Sequence, residues 1–221
     1  VEEEERYFVD VIGVNGQSIF TENELTRNLH LVEGGPFLLE LLDKDIFDLR
    51  LMYGEQGFSN VNIDEKHYFN PNDTNVNIVY NIQENERVFI EKIKIAGNDK
   101  TKDNVIRRQL TFFPGEHLNI SKVKDSQQRL INTGYFDRES GAPANVTFEP
   151  GSKPNTQNVL IDVKEGRSGM LRFGGGFGAN VGLFGDISYT DRNFDILDLP
   201  KDLNDLLSGN AFRGGGHVFN I

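Results

Sequence analysis

Between Val76 and Ile82 apolar side chains fall on every second residue: Val76, Ile78, Tyr80 and Ile82 alternate with Asn77, Val79 and Asn81. A period of two predicts a strand with one buried face. The pattern returns 81 residues later at Val159, Ile161 and Val163, and both copies close on an acidic residue, Glu84 and Glu165. The match extends backwards at the same spacing. Phe8, Ile12, Val14 and Gly16 correspond to Phe89, Ile93, Ile95 and Gly97, and Leu25, Leu29 and Gly34 to Ile106, Leu110 and Gly115. Around the second helix the spacing drops to 77, pairing Tyr53, Gly57 and Phe58 with Leu130, Gly134 and Tyr135. The chain holds two copies of one module.

Each copy predicts the same order of elements. The opening strand places Phe8, Ile12 and Val14, or Phe89, Ile93 and Ile95, on one face and ends in Asn15-Gly16 or Gly97-Asn98. A short helix follows, with Thr21 and Glu24 spaced as a capping box. A second helix carries Ile46, Leu49 and Tyr53 in one copy, Val123 and Leu130 in the other, and stops at Gly57 or Gly134. Two strands complete a β-α-α-β-β module with helices on one face of a three-stranded sheet. Expected boundaries are 1–6 for an acidic linker, 7–86 and 87–166 for the modules, and 167–221 for a third region.

Past Gly166 the composition changes. Leu171, Phe173 and Phe177 share one face of a predicted strand and Arg172, Gly174 and Gly176 the other. A second run sets Val181, Leu183, Ile187 and Tyr189 against Gly182, Asp186, Ser188 and Thr190, with Phe184 as the exception. One greasy and one polar face over about 10 residues suits a transmembrane β-barrel strand, and equally a two-sided hairpin in a soluble sheet. Beyond it, Pro200 suits the first turn of a helix and Ser208-Gly209 its end, and Leu203, Leu206 and Leu207 form its apolar stripe. An interfacial helix is expected there.

Gly134-Tyr135-Phe136 after the second helix and Glu165-Gly166 after the closing strand make each module similar to a POTRA domain. Two modules running into the stretch from Gly169 to Phe194 resemble the last two POTRA domains and first barrel strands of the BamA family of outer-membrane protein assembly factors. The resemblance implies an α+β fold: two tandem β-α-α-β-β POTRA modules followed by the first antiparallel strands of a truncated outer-membrane β-barrel. It implies periplasmic modules, a location at the cell outer membrane, and as partners unfolded barrel proteins, accessory lipoproteins and outer-membrane lipid. The middle strand of each module, around Val61 and Ile63 and around Val146 and Phe148, is then the sheet edge open to client strands by β-augmentation. Leu171, Phe173, Gly174, Gly175, Gly176 and Phe177 belong to the first barrel strand, at the seam where the barrel closes. A two-partner secretion transporter shares the architecture, and a soluble periplasmic interaction scaffold is the alternative from another class. Only 55 residues follow Gly166, too few for the eight strands of the smallest barrels, so the chain is expected to be part of a longer protein.

Charge and composition narrow the choices. A formal net charge of −11 argues against nucleic-acid binding through phosphates. Cysteine is absent, which removes disulfides, thiolate metal sites and a Cys nucleophile. Gly174-Gly175-Gly176-Phe177-Gly178 is no phosphate loop, because no Gly-Lys-Ser/Thr follows. His30, His67, His117 and His217 lack metal-ligand spacing, and the acidic run Asp195, Asp198, Asp202 and Asp205 lacks that of a calcium loop. The sequence predicts no enzyme and no cofactor.

Overall fold

The computed structural model describes residues 6–137, 141, 143–180 and 182–221. The acidic run from Glu2 to Glu5, and Val181 of the predicted second barrel strand, lie outside the described residues. The first module runs β1 (Phe8–Asn15), α1 (Glu22–Thr26), α2 (Leu39–Glu55), β2 (Asn62–Phe69) and β3 (Asn75–Gln83). The second runs β4 (Phe89–Ala96), α3 (Asp103–Arg107), α4 (Ile120–Thr133), β5 (Ala144–Pro150) and β6 (Thr156–Val163). A third sheet holds β7 (Gly169–Gly178), β8 (Gly182–Phe194) and β9 (His217–Asn220), with α5 (Leu203–Leu207) between the last two. The sheet orders are β1-β3-β2, β4-β6-β5 and β7-β8-β9. In the first, β1 lies parallel to the central β3 and β2 antiparallel to it.

The alternation read at Val76 to Ile82 is the buried face of β3: Val76, Ile78, Tyr80 and Ile82 all point into the core. Leu25 of α1 and Leu42, Leu49 and Tyr53 of α2 share one core cluster with Ile78, Tyr80 and Ile82. Each such side chain contributes roughly 1.5–3 kcal/mol by leaving water. At the start of α1 the Thr21 hydroxyl accepts from the Glu24 N–H, while the Glu24 carboxylate accepts from the Thr21 N–H at 2.8 Å. Both halves of the capping box are present.

Three expectations need correction. Phe8 does not share the buried face of β1; it is 42% exposed whereas Val9 is 1%. The pairing of β1 with β3 slips between Val9 and Ile12, and the extra residue of such a bulge moves the buried set from Val9 to Ile12 and Val14. Strand β4 repeats the shift, burying Ile90 and Ile93 and exposing Phe89. Second, the four-residue gap between the copies falls later than the pairing of Tyr53 with Leu130 implies. Leu42, Asp45 and Leu49 are buried in α2, and Val123, Ser126 and Leu130, each 81 residues on, are buried in α4. The shorter helix has lost its last turn, so Tyr53 has no counterpart in α4. Third, the predicted helix from Pro200 is only α5. It begins at Leu203, because the Asp202 side chain accepts from the Asp205 N–H and sets the cap there.

Candidate functional site

The open sheet edges are the first candidate surface. Strand β2 pairs with β3 through eight successive residues, Asn62 with Gln83 to Phe69 with Val76, and its other side has no strand beside it among the described residues. Ile63 is buried against the core, Val61 sits one residue ahead of the strand and is half-buried, and Tyr68 and Phe69 are exposed. Strand β5 holds the equivalent edge, with Val146 half-buried and Phe148 exposed. At the end of β2, Phe69 meets Tyr7 edge-on at 4.6 Å and Phe37 at 5.9 Å.

The third sheet supplies the second surface. Its register sets Leu171 opposite Tyr189, Phe173 opposite Ile187 and Phe177 opposite Leu183, so all six lie on one face. That face is open: Phe173 is 73% exposed, Ile187 70% and Leu183 85%. A contiguous apolar face of this kind marks a protein or membrane contact. On the other face Gly174 lies opposite Asp186 and Gly176 opposite Phe184. A Cβ at Gly174 would meet the Asp186 carboxylate, and one at Gly176 would stand 2.7 Å from the Phe184 ring. These two glycines accommodate cross-strand neighbours, which also explains why Phe184 departs from the alternation. Gly175 faces Gly185 between the apolar pairs. Among the described residues strand β7 pairs with β8 alone and so forms an edge. Leu203, Leu206 and Leu207 of α5 are exposed, and nearby Ile196, Leu197 and Leu199 are exposed as well.

Two acidic side chains missed as functional groups set the loops beside these strands. Glu84, just past β3, accepts from the Ile19 N–H at 2.9 Å, from the Ser18 N–H at 2.6 Å and hydroxyl, and from the Tyr53 hydroxyl at 2.9 Å. Burial pushes its carboxyl up, but these hydrogen bonds, led by Ile19, outweigh it and hold the group below the ordinary carboxylate range. In the second module Glu165 holds the corresponding loop, accepting from Lys100 N–H at 2.9 Å and Thr101 N–H at 2.5 Å. The only signal in the sequence is their recurrence at the same place in both copies. Asp45, fully buried, accepts from His30 N–H at 2.5 Å, Leu31 N–H at 3.2 Å and the Tyr80 hydroxyl at 3.0 Å. Among the described residues no group of three or more His, Cys, Asp or Glu side chains could hold a metal ion. No described helix is long and apolar enough to cross a membrane, a statement that leaves strands aside.

Tandem β-α-α-β-β modules running into an antiparallel sheet with an exposed apolar face define a class of modular repeat proteins. The family described as "POTRA: Surface antigen variable number repeat" matches residues 7–85 and 88–166, and the chain belongs to it. It is 30% identical over 173 residues to the outer membrane protein assembly factor BamA of Neorickettsia risticii, covering 77% of this chain and 22% of that protein. The BamA of Nitratidesulfovibrio vulgaris is 26% identical, covering 80% and 22%. The chain thus spans about a fifth of the length of these relatives, which are named as assembly factors and not as enzymes. Its fold is similar to BamA from Haemophilus ducreyi lacking POTRA domains 1–3, with a TM-score of 0.74 and 24% identity over 84% of this chain and 34% of that one. Haemophilus influenzae BamA POTRA3–5 follows at a TM-score of 0.62 and 19% identity, over 72% and 61%.

Proposed function

We propose that the chain is the periplasmic POTRA portion, with the first barrel strands, of a BamA-like factor that captures unfolded outer-membrane proteins and assists their insertion. The observation that carries this reading is the pair of edge strands, β2 and β5, each last in its sheet order. An extended client segment pairs with backbone N–H and C=O groups there, a mode tolerant of client sequence. In the same reading residues 7–86 and 87–166 are the two modules and 167–221 opens the barrel. The face bearing Phe173, Phe177, Leu183 and Ile187 meets lipid. The α5 leucines lie at the periplasmic rim of the membrane, and accessory lipoproteins bind the modules. Strand β7 stands at the barrel seam, where backbone groups cannot stay unpaired in lipid and a client strand can satisfy them.

The test places a photocrosslinking residue at Tyr68 or Phe148, both exposed on the edge strands. Adducts with an arriving barrel protein are expected. Crosslinks confined to the chain itself, with client insertion unimpaired by an edge-binding peptide, overturn the reading.

A further inference from the structure

The third sheet is attached to the second module twice. One attachment is the covalent passage from β6 to β7. The other comes some 50 residues later, where the chain returns from α5 to β9 through Arg213, Gly214, Gly215 and Gly216. Residues Glu91–Pro114, Lys122–Pro150 and Asn158–Ile221 accordingly cluster as one compact body.

The second attachment centres on backbone groups of the glycine run, met by backbone and side-chain partners. Lys102 donates its N–H to the Gly214 carbonyl at 3.0 Å, and Gly214 donates to the Asn193 carbonyl at 2.7 Å. The Asn193 side chain donates to the Thr101 hydroxyl and accepts from the Gly216 N–H, both at 2.9 Å. The Gly216 carbonyl accepts from Arg108 Nη2 at 2.8 Å and the Tyr135 hydroxyl at 3.2 Å. Arg213 Nη2 donates to the Gly166 carbonyl at 2.6 Å, and Lys102 Nζ pairs with the Asp195 carboxylate at 2.5 Å.

The fit excludes side chains. Gly214 has φ +101°, and a Cβ there would run into the Lys100 carbonyl oxygen. One on Gly215 would stand 2.7 Å from the Phe194 carbonyl oxygen, and one on Gly216 2.6 Å from Val105 Cγ1. Phe212, just before, is held at φ +58°, a conformation costly for a bulky residue, and stacks on Phe194. The surface that receives them is equally specific. Lys102 occupies the cap position of α3, as Thr21 does for α1. In the first module the Glu24 side chain satisfies the cap N–H; in the second the Gly214 carbonyl does. Glu165 braces the same loop from behind through Lys100 and Thr101.

We infer that Arg213–Gly216 and the Lys100–Arg108 segment form a latch that makes the second module and the β7–β8 hairpin move as one body, so that a rotation of the module turns the β7 edge with it. The inference does not depend on what the edges carry.

The protein expressed from its whole reading frame, reconstituted in lipid, tests it with spin labels at Gln128 on α4 and Arg172 on β7, both exposed. These 221 residues hold no cysteine, and any cysteine elsewhere in the reading frame is replaced by serine, so the two introduced sites are labelled without background. A single narrow distance distribution is expected. Gly214→Ala is expected to widen it at least twofold, and the double variant Lys102→Gln/Arg108→Gln to widen it less while keeping all three glycines. If Gly214→Ala fails to fold, the double variant decides. A broad distribution in the unaltered protein, or an unchanged one in a folded Gly214→Ala or in the double variant, overturns the latch.

Discussion

The two modules share a frame and fill it differently. In the first, the α1–α2 loop is held by a buried carboxylate, Asp45, which takes two backbone N–H groups and the Tyr80 hydroxyl. In the second, the residues 81 positions on are Ser126, Thr111 and Ile161. A single hydroxyl, Ser126 Oγ, accepts from the Thr111 N–H at 2.9 Å. The loop N–H groups must be satisfied in both, since unpaired buried donors cost about 1–3 kcal/mol each. How they are satisfied is free to drift. The difference teaches that the repeat conserves an obligation and lets its chemistry vary.

The largest break in the comparison is expected where both modules impose the same constraint. Gly16 and Gly97 have φ +84° and +80°, and a Cβ would strike the carbonyl oxygen of Ile82 or Val163. Gly16→Ala and Gly97→Ala should each cost about 3 kcal/mol, read by urea unfolding of the affected module. Asp45→Ala comes next. It strands the donors of His30, Leu31 and Tyr80 and should cost about 2–3 kcal/mol, seen as faster hydrogen exchange in β3. Replacing the set by that of the second module, His30→Thr/Asp45→Ser/Tyr80→Ile, should recover part of the loss.

A pH series sharpens the contrast further. The Glu84 pKa is depressed in the folded state, so its contribution is fully present above the unfolded value of about 4.3–4.5 and is lost as pH falls through the folded value. The unfolding midpoint of the first module should drop in that acid window, and Glu84→Gln should flatten the drop. The smallest effect belongs to Lys44→Ala, because the pair of Lys44 with Glu40 one turn away is exposed and screened by water. Arg107→Ala should cost more than Lys44→Ala, because Arg107 also bonds the Ile93 carbonyl besides Asp103.

Periodicity revealed most of the fold. The β3 alternation, the α1 capping box and the repeat itself are local signals, each carried by a few neighbouring residues. The Phe8 face misled because the bulge in β1 changes parity without changing composition, and β4 shows the same burial pattern at Phe89. The lost helix turn was placed wrongly because Leu49 and Tyr53, one turn apart, fit Leu130 equally well by pattern. Edge strands were legible once a module had three strands. The clasp at Gly214 was not, since it joins loops more than 100 residues apart and its centre is main-chain groups of glycine, which carry no residue label.

The bare side of β2 carries a hazard that its own residues address. A strand ready to take in a foreign segment is equally ready to take in another copy of itself, and a chain with two such sides could string molecules into fibres as concentration rises. Asp64 and Lys66 stand exposed on β2, Glu65 lies half-exposed between them, and Glu149 and Pro150 end β5. Two copies meeting edge to edge would have to crowd and partly desolvate these charged side chains, and Pro150 has no N–H to offer. With a net charge of −11 the molecules also repel at long range. Self-association is thereby discouraged along these edge strands.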